Sequence, residues 1–316
     1  MENNLSRLLL DIQRGGRLIE SGHFQDWALQ RIKLHIPFDA AVWSYGIAQN
    51  HAVHFHKAHF FNLPHSLDTD AFRLHEYEAL RQKILQQSEN EVTCVTSAVC
   101  LEADSSLKRC NIEYVLFTLI LDPLTRLMTS IVLCRVGDWP FTQDEQMLNQ
   151  ALMPHVVDIY DSHRLDCLMQ LRESSGVLYA PALVDEQGRL HVTDKRFPQM
   201  MLEEWPTWSG PYLPQPLMQS LKDEPTRVFM GNTMVAHASP ADEQILLRVR
   251  KKHPYDSLGK REHEVAELFA RGLTYKEIAK EMDISPSTVG NHLYTVYAKL
   301  GINNKLELAK VVNEIR

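Results

Sequence analysis

Gly272-Leu273-Thr274-Tyr275-Lys276-Glu277-Ile278-Ala279 and, shortly after, Ile284-Ser285-Pro286-Ser287-Thr288-Val289-Gly290-Asn291-His292 decide how the C-terminal part of this chain folds. Thr274 followed by Glu277 is a capping box, in which the hydroxyl takes the Glu277 amide and the carboxylate returns to the Thr274 amide. It predicts a helix running to about Met282. Ser285-Pro286 then supplies an N-cap with proline in the first helical position, so Asp283-Ile284 has room only for a tight turn. Working outward, Arg261 to Arg271 places Val265, Leu268 and Phe269 on one face, and Gly272 stands where a helix needs a positive-φ terminator. Downstream, Gly301 ends the helix that starts at Pro286, and Asn304 with Glu307 opens a fourth helix carrying Leu308, Ala309, Val312 and Ile315. Val265, Leu268, Ile278, Ala279, Val289, Leu293, Val296 and Leu300 follow the 3.6-residue period of a shared core.

Two helices joined by a three- or four-residue turn, the second longer and opening in small polar residues, fit helix-turn-helix geometry. The second helix enters the DNA major groove while the first crosses the backbone. Arg261-Glu262-x-Glu264-Val265, Gly272-Leu273-Thr274-x-Lys276-Glu277-Ile278-Ala279, Ile284-Ser285-x-Ser287-Thr288-Val289-x-Asn291-His292 and Lys299-Leu300-Gly301-Ile302 together resemble the LuxR (GerE-like) DNA-binding domain over about 58 residues. The resemblance implies a dimer on duplex DNA, a third helix that reads bases and a fourth that supplies the dimer contact. It puts Thr288, Gly290, Asn291 and Tyr294 at bases or adjacent phosphates, and Thr274, Lys276, Ser287, His292, Lys299 and Lys305 at the phosphate backbone. Gly290 departs from the polar residue usual there, and Gly259 from the usual Thr or Ser cap of the first helix. Asn291 could pair bidentately with adenine or bond a phosphate. His292 is either a packing or a phosphate-facing residue, since no cysteine or carboxylate cluster surrounds it.

The formal charge of the chain is -7, which is unexpected for a DNA binder until it is divided. From Arg248 onward 13 Lys and Arg face 9 Asp and Glu, so the basic surplus is confined to the tail and its linker. A polyanion therefore has an electrostatic reason to meet that end only. No basic segment precedes an apolar run at the start, and no window approaches the roughly 18 apolar residues that span a bilayer, so a cytoplasmic protein is expected. The five cysteines (Cys94, Cys100, Cys110, Cys134 and Cys167) include no C-x-x-C pair and are expected to be reduced thiols. No phosphate-binding Gly-rich loop, no Gly-x-Ser-x-Gly and no zinc or paired-carboxylate arrangement occurs, so no enzyme, catalytic residue, metal or cofactor is expected.

At 316 residues the chain calls for two or three domains. Helical spacing at Leu5, Leu8, Leu9 and Ile12 and from Phe24 to Ile36 gives way to strands at Asp39 to Ala48 and Ala52 to Lys57. A helix is expected at Thr69 to Gln87 and a strand at Glu91 to Ser97. Ile112 to Leu121 and Arg126 to Val136 form a hairpin around Asp122-Pro123-Leu124-Thr125, and a long helix follows from Thr142 to about Arg172. This layout, an α+β domain, resembles a GAF-type sensory domain. A second α+β unit begins with the strand Val177 to Val184, turns at Asp185-Glu186-Gln187-Gly188 and returns at Arg189 to Val192, which resembles the opening hairpin of a PAS domain. Thr226 to Gly231 and Gln244 to Arg250 are further strands, with proline-rich loops at Pro206, Pro211, Pro214 and Pro216 between.

Two constellations in the first unit attract notice. His51, His54, His56, His59 and His65 crowd one stretch, and His54 and His56 would share a strand face, yet nothing completes a metal site. Trp43 and Tyr45 share a strand face and either line a ligand pocket or are core aromatics. The expected whole is an α+β sensory region followed by an all-α four-helix helix-turn-helix domain. Its parts are a GAF-like domain at 1–165, a PAS-like domain and linker at 166–252, and a DNA-binding domain at 253–316. Expected partners are double-stranded promoter DNA, a second copy of the chain, an unidentified small-molecule signal and RNA polymerase, but no membrane. The alternative is that the N-terminal half is a protein-interaction and dimerisation platform without a ligand.

Overall fold

The computed structural model describes residues 2–16, 18–49, 52–63, 92–98, 110–170, 178–222 and 227–315. Helices α1 (Glu2–Gly16) and α2 (Phe24–Lys33) lead into strands β1 (Ala40–Gln49), β2 (Ala52–Phe61), β3 (Val92–Ala98), β4 (Ile112–Leu121) and β5 (Leu127–Val136), and α3 (Gln143–Gln170) closes the first unit. The strands form one antiparallel sheet in the order β2-β1-β5-β4-β3. The hairpin between β4 and β5 turns because Asp122 Oδ1 accepts from the amides of Leu124 at 2.8 Å and Thr125 at 3.1 Å. One sheet face is sealed by Ile12 of α1, Phe24 and Ile32 of α2, and Met153 and Val156 of α3. The helix expected at 69–87 lies outside the described residues.

Arg135 fixes the entry into α3. Its fully buried guanidinium is sandwiched between the rings of Trp139 and Phe141, at 4.1 and 3.8 Å from their centroids. It donates to the Pro37 and Pro140 carbonyls at 2.8 and 2.9 Å and pairs with Glu145 at 2.6 Å. A buried charge is tolerable only when its donors are taken up in this way.

The histidine stretch corrects the expected alternation. Strand β2 runs on to Phe61, and its register against β1 steps from Tyr45↔Lys57 to Gly46↔Phe55, leaving His56 as the extra residue of a bulge. His54 is exposed whereas His56 is turned inward, so the two do not share an environment. His59 is taken by Asp26 of α2 at 2.8 Å. Among the described residues no group of three metal-ligating side chains comes together.

The second unit comprises β6 (Ala180–Val184), β7 (Leu190–Thr193), α4 (Phe197–Glu204), α5 (Gln215–Lys222), β8 (Val228–Met230), β9 (Met234–Ala241) and β10 (Gln244–Lys251). Its strand order β7-β6-β10-β9-β8 repeats, position for position, the path of the first sheet. Helices α4 and α5 occupy part of the stretch expected as proline-rich loops: Pro216 falls in α5, whereas Pro206, Pro211 and Pro214 do lie in loops, and β9 was not anticipated. Pro198 and Pro216 fall in the first turns of these helices, where the missing N–H costs nothing. Phe197 and Met201 of α4 and Leu217 and Leu221 of α5 cover one face of the sheet.

The other face of that sheet, at Leu183, Val192 and Leu246, packs on Leu165, Leu168 and Met169 of α3. The same helix therefore seals two sheets, and the boundary expected at residue 165 falls inside it. A second contact joins the units where the Gly210 amide donates to the Leu124 carbonyl at 3.1 Å. A Cβ at Gly210 would strike the Thr125 carbonyl, which explains a glycine at this point. The C-terminal unit holds α6 (Lys260–Ala270), α7 (Tyr275–Glu281), α8 (Pro286–Leu300) and α9 (Lys305–Ile315) around its own core. No helix among the described residues is long and apolar enough to cross a membrane.

Candidate nucleic-acid interface

The four C-terminal helices start and stop where their caps dictate. Gly259 has no side chain to cap α6, but Glu262 Oε2 accepts its amide at 2.7 Å, so half a capping box survives. At α7 the box is complete: Thr274 Oγ1 accepts from the Glu277 amide at 3.4 Å and Glu277 Oε2 from the Thr274 amide at 2.7 Å. The Thr274 amide, and then its hydroxyl, hold the Glu277 carboxyl below the usual carboxylate range. Asp283 takes φ 53° in the turn, and Ser285 Oγ accepts the Thr288 amide at 3.1 Å to start α8. Gly301, at φ 67°, ends α8 in the left-handed conformation. Glu307 donates its amide to Asn304 Oδ1 at 2.9 Å, opening α9.

Helix α8 buries Val289, Leu293 and Val296, which are three and four residues apart on the face toward α6 and α7. That packing decides what faces outward. Ser287, Asn291 and Tyr294, spaced four and three apart, form an exposed polar row, with Tyr294 78% exposed. Thr288 is half-buried with its hydroxyl 2.8 Å from that of Ser285. Gly290 lies beside Tyr275 of α7, where an added Cβ would stand 3.8 Å from the ring. Packing therefore does not demand glycine there. Tyr275, 42% exposed at the start of α7, borders the same surface and was not singled out from the sequence; its place beside Gly290 depends on how α7 crosses α8.

The lysines divide. Lys276 is exposed and has no internal partner among the described residues. Lys299 Nζ donates to Glu262 at 2.7 Å, tying the end of α8 to the start of α6. That bond, followed by the Gly259 amide, holds the Glu262 carboxyl low, with His292 near enough to add a weaker pull. Lys305 Nζ lies 4.3 Å from the Phe269 ring centroid and donates to the Gly272 carbonyl at 3.0 Å, closing the end of α6. Both lysines hold helices together. Upstream, Arg250 of β10 grips Asp256 through two bonds of 2.6 and 2.7 Å and so fixes the linker into α6.

Trp43 and Tyr45 lie far from this surface, in the core of the first unit. Trp43 is fully buried, its ring 5.4 Å from Tyr160 of α3 and 6.4 Å from Tyr45. Burial pushes the Tyr45 hydroxyl well above its ordinary pKa.

A trihelical core with a fourth helix, in which a capped turn aims a polar-faced helix outward, defines a helix-turn-helix domain. Residues 256–312 match the family of bacterial regulatory proteins of the luxR type, also called GerE, so this domain is a LuxR-family DNA-binding domain. The transcriptional regulatory protein UhpA of Escherichia coli is 49% identical over 55 residues, covering 17% of this chain and 28% of UhpA. A putative HTH-type transcriptional regulator of Mycobacterium tuberculosis, Rv0890c, is 43% identical over 61 residues, covering 19% of this chain and 7% of that protein. The chain thus spans less than a third of the length of these relatives. Among solved structures, Escherichia coli SdiA aligns over 99% of this chain and 96% of its own at 16% identity with a TM-score of 0.32, too loose a fit to carry an argument.

Proposed function

We propose that the chain is a one-component transcription regulator, acting in the cytoplasm, in which two N-terminal α+β units control a C-terminal domain that binds promoter DNA as a dimer. The observation that carries this reading is the exposed row Ser287, Asn291 and Tyr294 on a capped recognition helix within a domain matching the LuxR family. The relatives that share the domain bear the names of transcriptional regulators. Asn291 and Tyr294 read bases, Thr288 and Gly290 lie alongside, and Lys276, with Thr274, Ser287 and His292, meets phosphates. Lys299 and Lys305 reach phosphate only by releasing Glu262 and the end of α6. Leu306, 82% exposed on α9, supports that helix as the dimer contact.

The division into a GAF-like domain at 1–165, a PAS-like domain at 166–252 and the DNA-binding domain at 253–316 remains our reading, with α3 as the shared wall of the first two. Sensing is supported by Trp43 Nε1, Gln25 Nε2 and Asp161 Oδ1, buried without a hydrogen-bond partner among the described residues, as expected where a polar ligand or water completes a site. The packed rings around Trp43 favour the second reading, a dimerisation platform. Genome-wide mapping of DNA bound by the full chain tests the main proposal: it expects a shared, two-fold related sequence with half-sites about one helical turn apart. Bound fragments with no common sequence would refute it.

A further inference from the structure

The bulge in β2 has no part in DNA binding, yet it is built. Gly46 lies opposite it, and a Cβ there would stand 2.5 Å from the His54 carbonyl oxygen, so only glycine lets β1 close against the extra residue. Bulges re-aim side chains. Here both His56 and Lys57 line a cleft of about 910 Å³ between the two α+β units. Its size lies at the upper end of small-molecule sites, which concentrate at domain interfaces.

Each wall contributes charge. Helix α3 adds Arg164, whose guanidinium lies 5.6 Å from the Tyr160 ring centroid, and the second unit adds Arg189 and His191. Asp185 is already committed, to Arg189 at 2.9 Å and to His191 at 3.3 Å. Asp242 and Glu243 stand on the exposed rim. Lys57 and Arg164 are left facing the cleft, without an ion pair among the described residues. His56 sits with its ring 4.6 Å from that of His191, edge to face, and both its ring nitrogens are buried without a partner among the described residues. Burial, then His191 and Arg189, lower its pKa to about 4. Lys57, exposed where it borders the cleft, has its pKa lowered by partial desolvation and then by Arg164. The cleft interior is thus a place where positive charge is disfavoured until a negative group arrives.

We propose that this cleft binds a small molecule bearing a carboxylate or phosphate, with Lys57 and Arg164 on its charge and the His56 imidazole donating to it. The remainder of the molecule lies against Tyr160, Leu168 and Leu183. The proposal deepens the sensory part of the reading above and rests on it. Lys57 and His56 come from the first unit, Arg164, Tyr160 and Leu168 from the shared helix and Leu183 from the second unit, so occupancy changes how the units hold each other. An effect on DNA affinity then follows by reciprocal coupling.

The test follows the imidazole signals of His56 and His191 by NMR in the full chain, assigned through His56→Gln and His191→Gln, while inorganic phosphate or citrate is added at constant ionic strength. Saturable movement of both signals is expected, with the His56 pKa rising by about one unit or more. A stronger response to one probe tells the phosphate source from the carboxylate source. Arg164→Gln and Lys57→Gln should each weaken the response about tenfold, as loss of a charge-assisted bond requires, while fluorescence of the buried Trp43 confirms an intact fold. Asp242→Asn should not weaken it. Signals unmoved by either probe, or equal affinity in folded Arg164→Gln and Lys57→Gln, would overturn the proposal. No DNA enters the experiment, so its failure and that of the DNA-binding reading are told apart.

Discussion

Asn291 is the residue whose loss separates reading from mere holding. It stands exposed on α8 with Tyr294 three residues on, facing the same way. A bidentate contact from Asn to adenine discriminates by about 1 to 3 kcal/mol. Asn291→Ala should therefore lower specific affinity roughly 5- to 150-fold and leave non-specific binding nearly unchanged. A competition over every single-base variant of the bound site checks this, and an equal loss for all variants would make Asn291 a phosphate contact. Lys276, exposed and without an internal partner among the described residues, is expected to behave oppositely. Lys276→Ala should weaken all sequences alike and flatten the log-log salt dependence by about one unit. Gly290 has room for a side chain, since its Cβ would meet only the Tyr275 ring at 3.8 Å. Gly290→Ala should accordingly stabilise the domain by about 1 kcal/mol in denaturant unfolding; destabilisation would mean that α8 needs a glycine for a reason packing does not reveal.

At the scale of the element, caps decide stability and give it a pH dependence. The carboxyls of Glu262 and Glu277 are held below their ordinary values by the amides and the lysine they accept from. A group with a depressed folded pKa stabilises fully above its unfolded value, about 4.3, and loses that contribution as pH falls through the folded value. The thermal stability of the C-terminal domain should therefore fall below about pH 4.3, and Glu277→Gln should flatten part of that decline. An unchanged acid limb in Glu277→Gln would show that the box does not titrate. The same caps explain why this domain was legible in the sequence: Thr274, Glu277, Ser285, Pro286 and Gly301 each act within one helical turn, on neighbours in the chain. Elsewhere the signals conflicted. Pro216 read as a loop residue, although proline serves equally in the opening turn of a helix such as α5. The bulge at His56 breaks a period of two that alternation assumes unbroken, so the inward turn of that histidine was hidden. Lys299 and Lys305 form contacts with residues more than thirty positions away, which no local pattern encodes.

For the whole molecule, two sheets of identical strand order share one helix, and a bidentate ion pair from Arg250 to Asp256 leads from the second sheet into the DNA-binding domain. That pair fixes the linker between the second sheet and α6. Alternation and turn residues located the strands of both units except β9, but which faces α3 would cover was beyond them, because a helix that seals two sheets has the same apolar spacing as one that seals one. The central claim is that this assembly delivers sequence-specific DNA binding through α8. The most direct measurement is the affinity of the full chain for a selected site beside the same bases scrambled, at one fixed near-physiological salt concentration. The account predicts at least about 10³-fold preference for the selected site, collapsing in part with Asn291→Ala; equal affinity for the two would contradict it.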